Sequence, residues 1–426
     1  LGSQMHDILP GTSIPKAYDY AWNDEVIAMN RFSAQLKTAA EVVVRAMDTR
    51  AKGKCIVVYN PLSIRRTDIV EAKVSFPEGI PAALMLLDSD QDTVPFQILG
   101  TSRSSVTIIF NASLPSLGFA SYDLCAANRP IKLRSDLSVG AKMLDNEFLK
   151  VTLNDQGDIS SVIDKKLGRE LLKAPIRLEL RREHPAYWPA WNMDWTDRQK
   201  PPLAFVGGPA TITVIEKGPV RSALQVVRKY GNSVFTQNIS LSAGSGQLVV
   251  KNMVEWQTPG VSLKALFPLT CANDMATYNL GLGTIQRSTN NEKKYEVPSR
   301  EWFDLTDQSG KFGVTILEDC KFGSDKPDRN TLRLTLLFTP ETNAFHDQAS
   351  QDFGVHEFSF GLYSHAGDWR TGGSEWQGRR FNQPLVAFQA GSHPGVLGRS
   401  FSFASVSDPN VDILSIKKAE NGYDII

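Results

Sequence analysis

The longest regular pattern of apolar positions lies near the start of the chain, between Pro15 and Thr49. Apolar residues recur there at alternating steps of three and four, which predicts one long amphipathic helix. The stripe consists of Trp22, Val26, Met29, Leu36, Ala40, Val43 and Met47, with Ser33 as its interruption. Thr12 and Ser13 are predicted to cap this helix. Because one helix cannot bury such a stripe alone, we expect it to pack in a core with other helices or with the sheets that follow.

After Gly53 the pattern changes to short alternating segments, separated by turns rich in Pro, Gly, Asp and Ser. Such segments are typical of β-strands. Predicted strands run over residues 55–59, 69–76, 83–87, 94–99, 105–110 and 120–124. Their regular spacing predicts a small antiparallel β-sandwich over residues 51–130, with residues 126–130 as its exit linker.

A longer β-rich region follows over residues 131–426. It opens with a predicted hairpin, in which strands 144–153 and 159–163 flank a turn that contains Gly157. Strand-like segments continue almost to the last residue, and no helical stripe as strong as the first one returns. We therefore predict a mainly β protein with a helical segment over residues 1–50, the small sandwich, and one large two-sheet super-sandwich.

Charge and cysteine usage restrict the classes of function. Forty-six basic and forty-six acidic residues cancel, so a neutral polar ligand or a protein surface fits better than nucleic acid or an anionic membrane. The sequence has no apolar run of membrane-spanning length. Its four cysteines, at positions 55, 125, 271 and 320, match no zinc or redox spacing. This favours reduced thiols in a reducing compartment, and we expect a cytoplasmic protein.

The first candidate for chemistry is the adjacent pair His6 and Asp7, at the start of the string HDILPGTSI. Imidazole is a common ligand of transition metals, and a carboxylate beside it can accept a hydrogen bond from a substrate hydroxyl. No second histidine lies three or four positions away, so a metal here would need ligands from elsewhere. The alternative is an N-capping aspartate with a surface histidine beside it.

The second candidate is the segment from His184 to Trp195, which holds three tryptophans, one tyrosine and two prolines in twelve residues. Aromatic rings stack on the C–H faces of sugars while Asn and Asp bond their hydroxyls, so this segment suits a platform for a pyranose. It equally suits a plug between two sheets or a surface that docks against another domain. The other histidines are expected to be satisfied or solvated rather than metal ligands: His346, His356, His365 and His393.

The string HDILPGTSI resembles a signature of the retaining α-mannosidases of glycoside hydrolase family 38. Further blocks follow in the order in which that family has them, among them DNEFLKVTLNDQGDISSVIDKKLGRELL, VEWQTPGVSLKALFPL, YEVPSREWFDLTD and DFGVHEFSFGLYSHAGDW. The resemblance implies a galactose-mutarotase-like fold for residues 131–426. It also implies that residues 1–50 are the remnant of a helical bundle, which we expect to be frayed or to find a substitute partner. Several residues in these blocks are expected to form buried ion pairs or caps: Glu255, Trp256, Lys264, Arg287, Trp302, Asp304 and Arg333.

The resemblance also implies a reaction. In the family the signature His is a zinc ligand and the next Asp touches mannose, which assigns these roles to His6 and Asp7. The reacting Asp residues and the other zinc ligands come from a barrel domain ahead of the signature. The chain is thus expected to be the C-terminal part of a zinc-dependent retaining α-mannosidase, without catalytic carboxylates and inactive alone. Its expected partners are mannose-containing oligosaccharides, its own barrel and, through faces that the barrel would cover, a second copy.

In the aromatic segment the family shows Trp-Asp-Ala-Trp-Asp-Ile-Asp. Trp191 and Asp194 match this pattern and are expected to bind substrate, whereas Pro189 and Asn192 stand where the family has acids. An alternative from another class is a non-catalytic carbohydrate-binding or assembly module, which needs neither metal nor acids. A barrel upstream of Leu1 would favour the enzyme, and an initiator Met near Leu1 would favour the module.

Overall fold

The computed structural model describes residues 2–129, 135–341, 351–408 and 410–426. A 3₁₀ turn spans Gly2–Gln4, and the helices are α1 (Pro15–Ala46), α2 (Trp195–Gln199) and α3 (Ser374–Asn382). None of the helices in these ranges is long and apolar enough to span a membrane. Antiparallel sheets make up most of the remaining regular structure, which confirms the predicted mainly β fold.

The small domain is a sandwich of two antiparallel sheets. Its first strands are β1 (Lys54–Asn60), β2 (Arg66–Ser75), β3 (Leu84–Leu87), β4 (Thr93–Val94), β5 (Phe96–Thr101), β6 (Ser105–Leu114) and β7 (Gly118–Ala126). Strands β2, β6 and β5 form one sheet, and β1, β7, β3 and β4 lie in the other. Apolar residues of both sheets, among them Val70, Ile108 and Leu124, form a common core.

The large domain packs two broad antiparallel sheets face to face. Its strands are β8 (Ser138–Gly140), β9 (Met143–Asp145), β10 (Leu149–Leu153), β11 (Ile159–Asp164), β12 (Arg169–Glu170), β13 (Arg177–Arg182), β14 (Ala204–Phe205), β15 (Thr211–Lys217), β16 (Arg221–Tyr230), β17 (Ser233–Ser242), β18 (Gln247–Trp256), β19 (Val261–Pro268), β20 (Met275–Asn279), β21 (Thr284–Ser288), β22 (Val297–Pro298), β23 (Trp302–Thr306), β24 (Phe312–Glu318), β25 (Gly323–Asp325), β26 (Thr331–Thr339) and β27 (Gly354–Ala366). One sheet has the order β14-β13-β19-β26-β25-β22, and the other has the order β15-β16-β17-β18-β27-β24-β23-β20-β21. Strands β12 to β8 form a smaller sheet. Phe267 and Phe360, one from each broad sheet, meet edge to face with ring centroids 5.5 Å apart.

The small sandwich is completed from the far end of the chain. Strand β28 (Val386–Ala390) pairs with β1, and β29 (Ser400–Ser402) pairs with β7. The predicted division placed both strands in the large domain, which is wrong for these residues; the predicted boundary at residues 130–131 lies outside the described residues. After β29 the described chain contains only an isolated bridge between Lys418 and Ile425, so the expected strands near its end are also wrong.

Helix α1 has nearly the predicted bounds but a different start. It begins at Pro15 and ends at Ala46. Proline lacks an N–H, but the N–H groups of a first helical turn have no partner within the helix, so no hydrogen bond is lost at this position. Ile14 occupies the N-cap position and makes no side-chain capping bond. The predicted caps Thr12 and Ser13 are therefore wrong.

The apolar stripe of α1 is largely exposed. Its exposed members include Trp22, Val26, Met29 and Leu36, and the exposed fraction of Trp22 is 61%. Only the C-terminal end of the stripe is buried, where Met47 packs with Val57 and Phe119 of the small sandwich. The predicted core packing is therefore confirmed for Met47 and Val43 and wrong for the four exposed members. Self-association through this face stays a prediction.

Helix α3 was not predicted, because its nine residues are too polar to show a stripe. Its Arg379 faces three carboxylates from different parts of the chain. The Arg379 guanidinium lies 3.2 Å from Glu375, 3.6 Å from Glu301 and 3.8 Å from Asp412. This single cation thus ties α3 to the large domain and to the C-terminal segment.

A further carboxylate, Glu318, is buried beside this cluster. It accepts a hydrogen bond from the Ser299 hydroxyl at 3.2 Å, and its other oxygen has no hydrogen-bond partner among the described residues. Burial, reinforced by the negative charge of Glu301, raises the pKa of Glu318 well above its ordinary value. The folded protein therefore holds a proton at Glu318 at a pH at which the unfolded chain has lost it.

This proton makes the free energy of unfolding fall as the pH rises above the ordinary pKa of a glutamic acid, since the folded state binds more protons there. The slope approaches about 1.4 kcal/mol per pH unit. We expect Glu318→Gln, which has no proton to lose, to flatten this dependence between about pH 5 and pH 7 in urea unfolding. Glu71→Gln, at an exposed position on β2, is the control. Equal slopes in both variants would contradict the assignment.

Candidate functional site

His6 projects into solvent while Asp7 is tied to the first turn of α1. The His6 side chain is 88% exposed, and its Nε2 lies 3.5 Å from the Asp7 carboxylate. The Asp7 carbonyl accepts hydrogen bonds from the Tyr18 hydroxyl and the Thr12 amide, both at 3.1 Å. The pair is therefore held at its backbone and accessible at its imidazole.

These two residues do not by themselves fit a zinc site. Such a site needs about four ligands in tetrahedral geometry. In the described ranges no group of three or more His, Cys, Asp or Glu side chains is placed to hold a metal ion. His6 and Asp7 supply at most one edge of a metal centre.

The second candidate, residues 184–200, forms a loop that ends in α2; we call it the aromatic loop. Trp188 and Trp191 are 63% and 56% exposed, and Tyr187 is exposed beside them. The two indole rings meet edge to face, with centroids 6.3 Å apart. Exposed aromatic rings in contact with each other form an apolar surface. The alternative of a plug between the sheets is wrong for these two side chains.

The tip of the aromatic loop is held by its own backbone. Trp188 has φ +52°, a conformation that is uncommon for a residue with a side chain. Its carbonyl accepts hydrogen bonds from the amides of Trp191 and Asn192, both at 2.9 Å. The Asn192 side-chain amide in turn donates to the Tyr187 carbonyl at 2.8 Å. These bonds fix the turn that carries both indoles.

Asp194 has a structural contact within the same loop. One of its carboxylate oxygens accepts a hydrogen bond from the Ala186 amide at 2.9 Å. Three residues later, Asp197 accepts one from the His184 amide, also at 2.9 Å. Asp194 and Trp191 are thus brought together in one loop, but among the described residues no hydrogen bond, ion pair or ring contact joins this loop to His6 or Asp7.

The base of the aromatic loop rests on buried charges. Arg198 of α2 forms an ion pair with Glu183, and both side chains are fully buried. Glu183 also accepts a hydrogen bond from the Ser262 hydroxyl of β19. Arg181 donates to the carbonyls of Arg198 and Lys200, at 2.9 Å for Arg198. The loop therefore sits on the six-stranded sheet of the large domain.

That sheet carries a network that we call the charge lattice. Its six members are three cations and three carboxylates that form ion pairs with one another: Arg181, Lys264, Arg333, Glu179, Glu296 and Asp325. The Lys264 ammonium lies 2.6 Å from Asp325, and the Arg333 guanidinium lies 2.6 Å from Asp325 and 2.9 Å from Glu179. Burial alone would raise the pKa of Asp325, but Lys264 and Arg333 outweigh it and hold that pKa below its ordinary value.

The predictions for the other polar residues have mixed outcomes. Lys264 and Arg333 form the expected buried ion pairs, whereas Glu255 is exposed. His365 is buried, with its Nε2 2.8 Å from the Asp304 carboxylate, whereas its Nδ1 has no hydrogen-bond partner among the described residues, so the expected satisfaction holds for one ring nitrogen only. His356 contacts a backbone carbonyl at 2.9 Å. His346 lies outside the described residues.

Comparison with known proteins gives the family of the domain that holds the aromatic loop. Residues 144–344 match the C-terminal domain of the glycosyl hydrolases family 38. This match covers the charge lattice and the aromatic loop. The family that the sequence blocks predicted is therefore confirmed for residues 144–344, which are just under half of the chain.

The chain is similar to proteins named alpha-mannosidases. It is 27% identical over 435 residues to alpha-mannosidase 2C1 of Mus musculus, which covers 98% of this chain and 38% of the relative. It is 30% identical over 325 residues to alpha-mannosidase 2C1 of Homo sapiens, over 72% of this chain and 30% of the relative. The chain thus spans roughly a third of the length of these curated relatives.

A solved structure shares the fold. The crystal structure of an alpha-mannosidase from Enterococcus faecalis V583 matches with a TM-score of 0.83 at 15% identity, over 100% of this chain and 56% of that chain. The likeness confirms the arrangement of helix, small sandwich and super-sandwich.

Proposed function

We propose that this chain contributes a mannoside-binding surface to a zinc-dependent retaining α-mannosidase, and that the aromatic loop is this surface. The match of residues 144–344 to family 38 and the similarity to proteins named alpha-mannosidases support the enzyme class. The observation that carries the proposal for the loop is the exposed Trp188–Trp191 pair on a backbone fixed by hydrogen bonds. Exposed indoles held in one geometry bind a sugar face without first having to be ordered.

In this proposal the rings and the polar groups have different tasks. Trp191 covers the C–H face of a mannose ring, and Trp188, whose plane is inclined by 72° to that of Trp191, flanks the edge of the sugar. The carboxylate of Asp194 and the amide of Asn192 bond the hydroxyls. Asp194 retains acceptor capacity beyond its bond to the Ala186 amide, because an ionised carboxylate offers about four lone-pair positions. The bound ligand would be a terminal α-linked mannose of an oligosaccharide.

The reaction itself requires groups that we do not assign to this chain. Retaining hydrolysis uses two carboxyl groups about 5 Å apart, one as nucleophile and one as acid and base. We assign no catalytic residue here. His6 is proposed as one zinc ligand and Asp7 as a contact to mannose, with the remaining ligands supplied by other residues. The four cysteines are free thiols, which supports the proposed reducing, cytoplasmic location.

The loop proposal predicts that the chain binds methyl α-mannoside and that Trp191→Ala weakens this binding by about fivefold to tenfold, the loss of one stacking contact. Isothermal titration calorimetry measures the dissociation constant. Trp22→Ala is a matched control, because that tryptophan on α1 is 61% exposed, close to the 56% of Trp191. An equal loss in both variants, or none in Trp191→Ala, would contradict the assignment.

The division of tasks predicts that this chain, supplied with zinc, does not hydrolyse an aryl α-mannoside, because the proposal places the reacting pair of carboxyl groups outside these residues. Release of the phenol is followed by absorbance for the chain and for His6→Ala. Hydrolysis that disappears in His6→Ala would show that the reacting carboxylates lie within these residues. Mannoside binding without any hydrolysis in the intact protein would favour the alternative of a non-catalytic binding or assembly module.

A further inference from the structure

Residues 290–296 touch the aromatic loop at one backbone position. The Tyr295 hydroxyl donates a hydrogen bond to the Met193 carbonyl at 2.5 Å. Its ring packs against Trp195, with centroids 5.3 Å apart and planes inclined by 41°. Met193 lies between Trp191 and Asp194, so this contact falls between two of the proposed sugar-binding residues.

Residues 290–296, which we call the anchoring loop, are fixed to the charge lattice at both ends. At one end the Asn290 side chain donates to Asp325 at 2.9 Å and accepts from the Lys326 amide at 3.0 Å. At the other end Glu296, the neighbour of Tyr295, pairs with Lys264 and accepts a hydrogen bond from Thr335. The Tyr295 hydroxyl is thus carried by a segment with little freedom to move.

We infer that Tyr295 is a positioning residue of the aromatic loop: it fixes the backbone between Trp191 and Asp194 so that the indole pair and the carboxylate face the same sugar. The consequence for sugar binding rests on the proposed function. The effect on the loop itself does not, because it follows from the contacts of Tyr295 alone.

The chemistry of the contact supports this role. A tyrosine hydroxyl offers one donor, and the Met193 carbonyl receives it at a point where the loop passes from its tip to α2. Partial burial, together with the negative charge of Asp194, raises the pKa of Tyr295, so the hydroxyl remains a donor through the neutral range. The base of the loop is already held by Arg198 and Glu183. Tyr295 therefore fixes the part of the aromatic loop that lies between its base and the tip with Trp191.

The test compares Tyr295→Phe, which keeps the ring on Trp195 and removes only the hydroxyl, with Tyr423→Phe. Tyr423 is 95% exposed in the C-terminal segment and serves as the matched control. Hydrogen exchange of the peptide spanning residues 186–194 and the dissociation constant of methyl α-mannoside are measured for both variants and for the unchanged chain.

We expect Tyr295→Phe to exchange about fivefold faster over residues 186–194 and to bind methyl α-mannoside about fivefold more weakly, the factor that one hydrogen bond contributes. The midpoint of thermal unfolding should match that of Tyr423→Phe. Exchange as slow as in the control would overturn the inference. Faster exchange with unchanged affinity would also overturn it, since the bond would then serve only local stability.

Failure of the proposed function is distinguishable from failure of this inference. If the unchanged chain binds no methyl α-mannoside, the proposed function is wrong, and the exchange rates alone then decide whether Tyr295 fixes the loop.

Discussion

The contact on which the large domain depends is the ion pair between Lys264 and Asp325, both without access to solvent. Taking two charges out of water costs several kcal/mol per ion, and only close, complementary partners repay it. Arg333 and Glu179 continue the pairing, and Glu296 completes the environment of Lys264. Loss of one member would leave a buried charge without a partner, so these residues constrain one another and the strands that carry them.

Strand geometry explains why this lattice lies where it does. Glu179 of β13 stands opposite Lys264 of β19, and Asp325 of β25 stands opposite Arg333 of β26. Successive side chains point to opposite faces of a sheet, so the apolar neighbours of Glu179 enter the core while the charges share the other face. The aromatic loop and the anchoring loop contact this face through Arg181 and Glu296. A site for a polar ligand can therefore be exposed at its tip and rigid at its base.

The local sequence pattern predicted those elements whose formation depends on neighbouring residues. Apolar periodicity located α1, but the exposure of Trp22 could not be foreseen, because packing depends on which surfaces meet. The family block that contains Lys264 implied a buried ion pair or a cap, whereas the partner of Lys264, Asp325, is 61 residues away and is set by topology. The pairing of β28 with β1 is likewise set by topology and could not be read from the local sequence. Aromatic density identified the loop with Trp191. Tyr295 opens one of the family blocks, YEVPSREWFDLTD, but no local pattern indicates its contact with the Met193 carbonyl.

The free energy of unfolding of Lys264→Met, combined with hydrogen exchange over residues 184–200 and 290–296, tests most directly whether the charge lattice holds the aromatic loop in place. Because this change leaves Asp325 and Glu296 without their ammonium partner, we expect the free energy of unfolding to fall by about 3–5 kcal/mol and exchange to become faster in both loops. Lys251→Met, at an exposed position on β18, should change neither quantity. A loss below about 1 kcal/mol with unchanged exchange would contradict the claim that the lattice holds the candidate site in place.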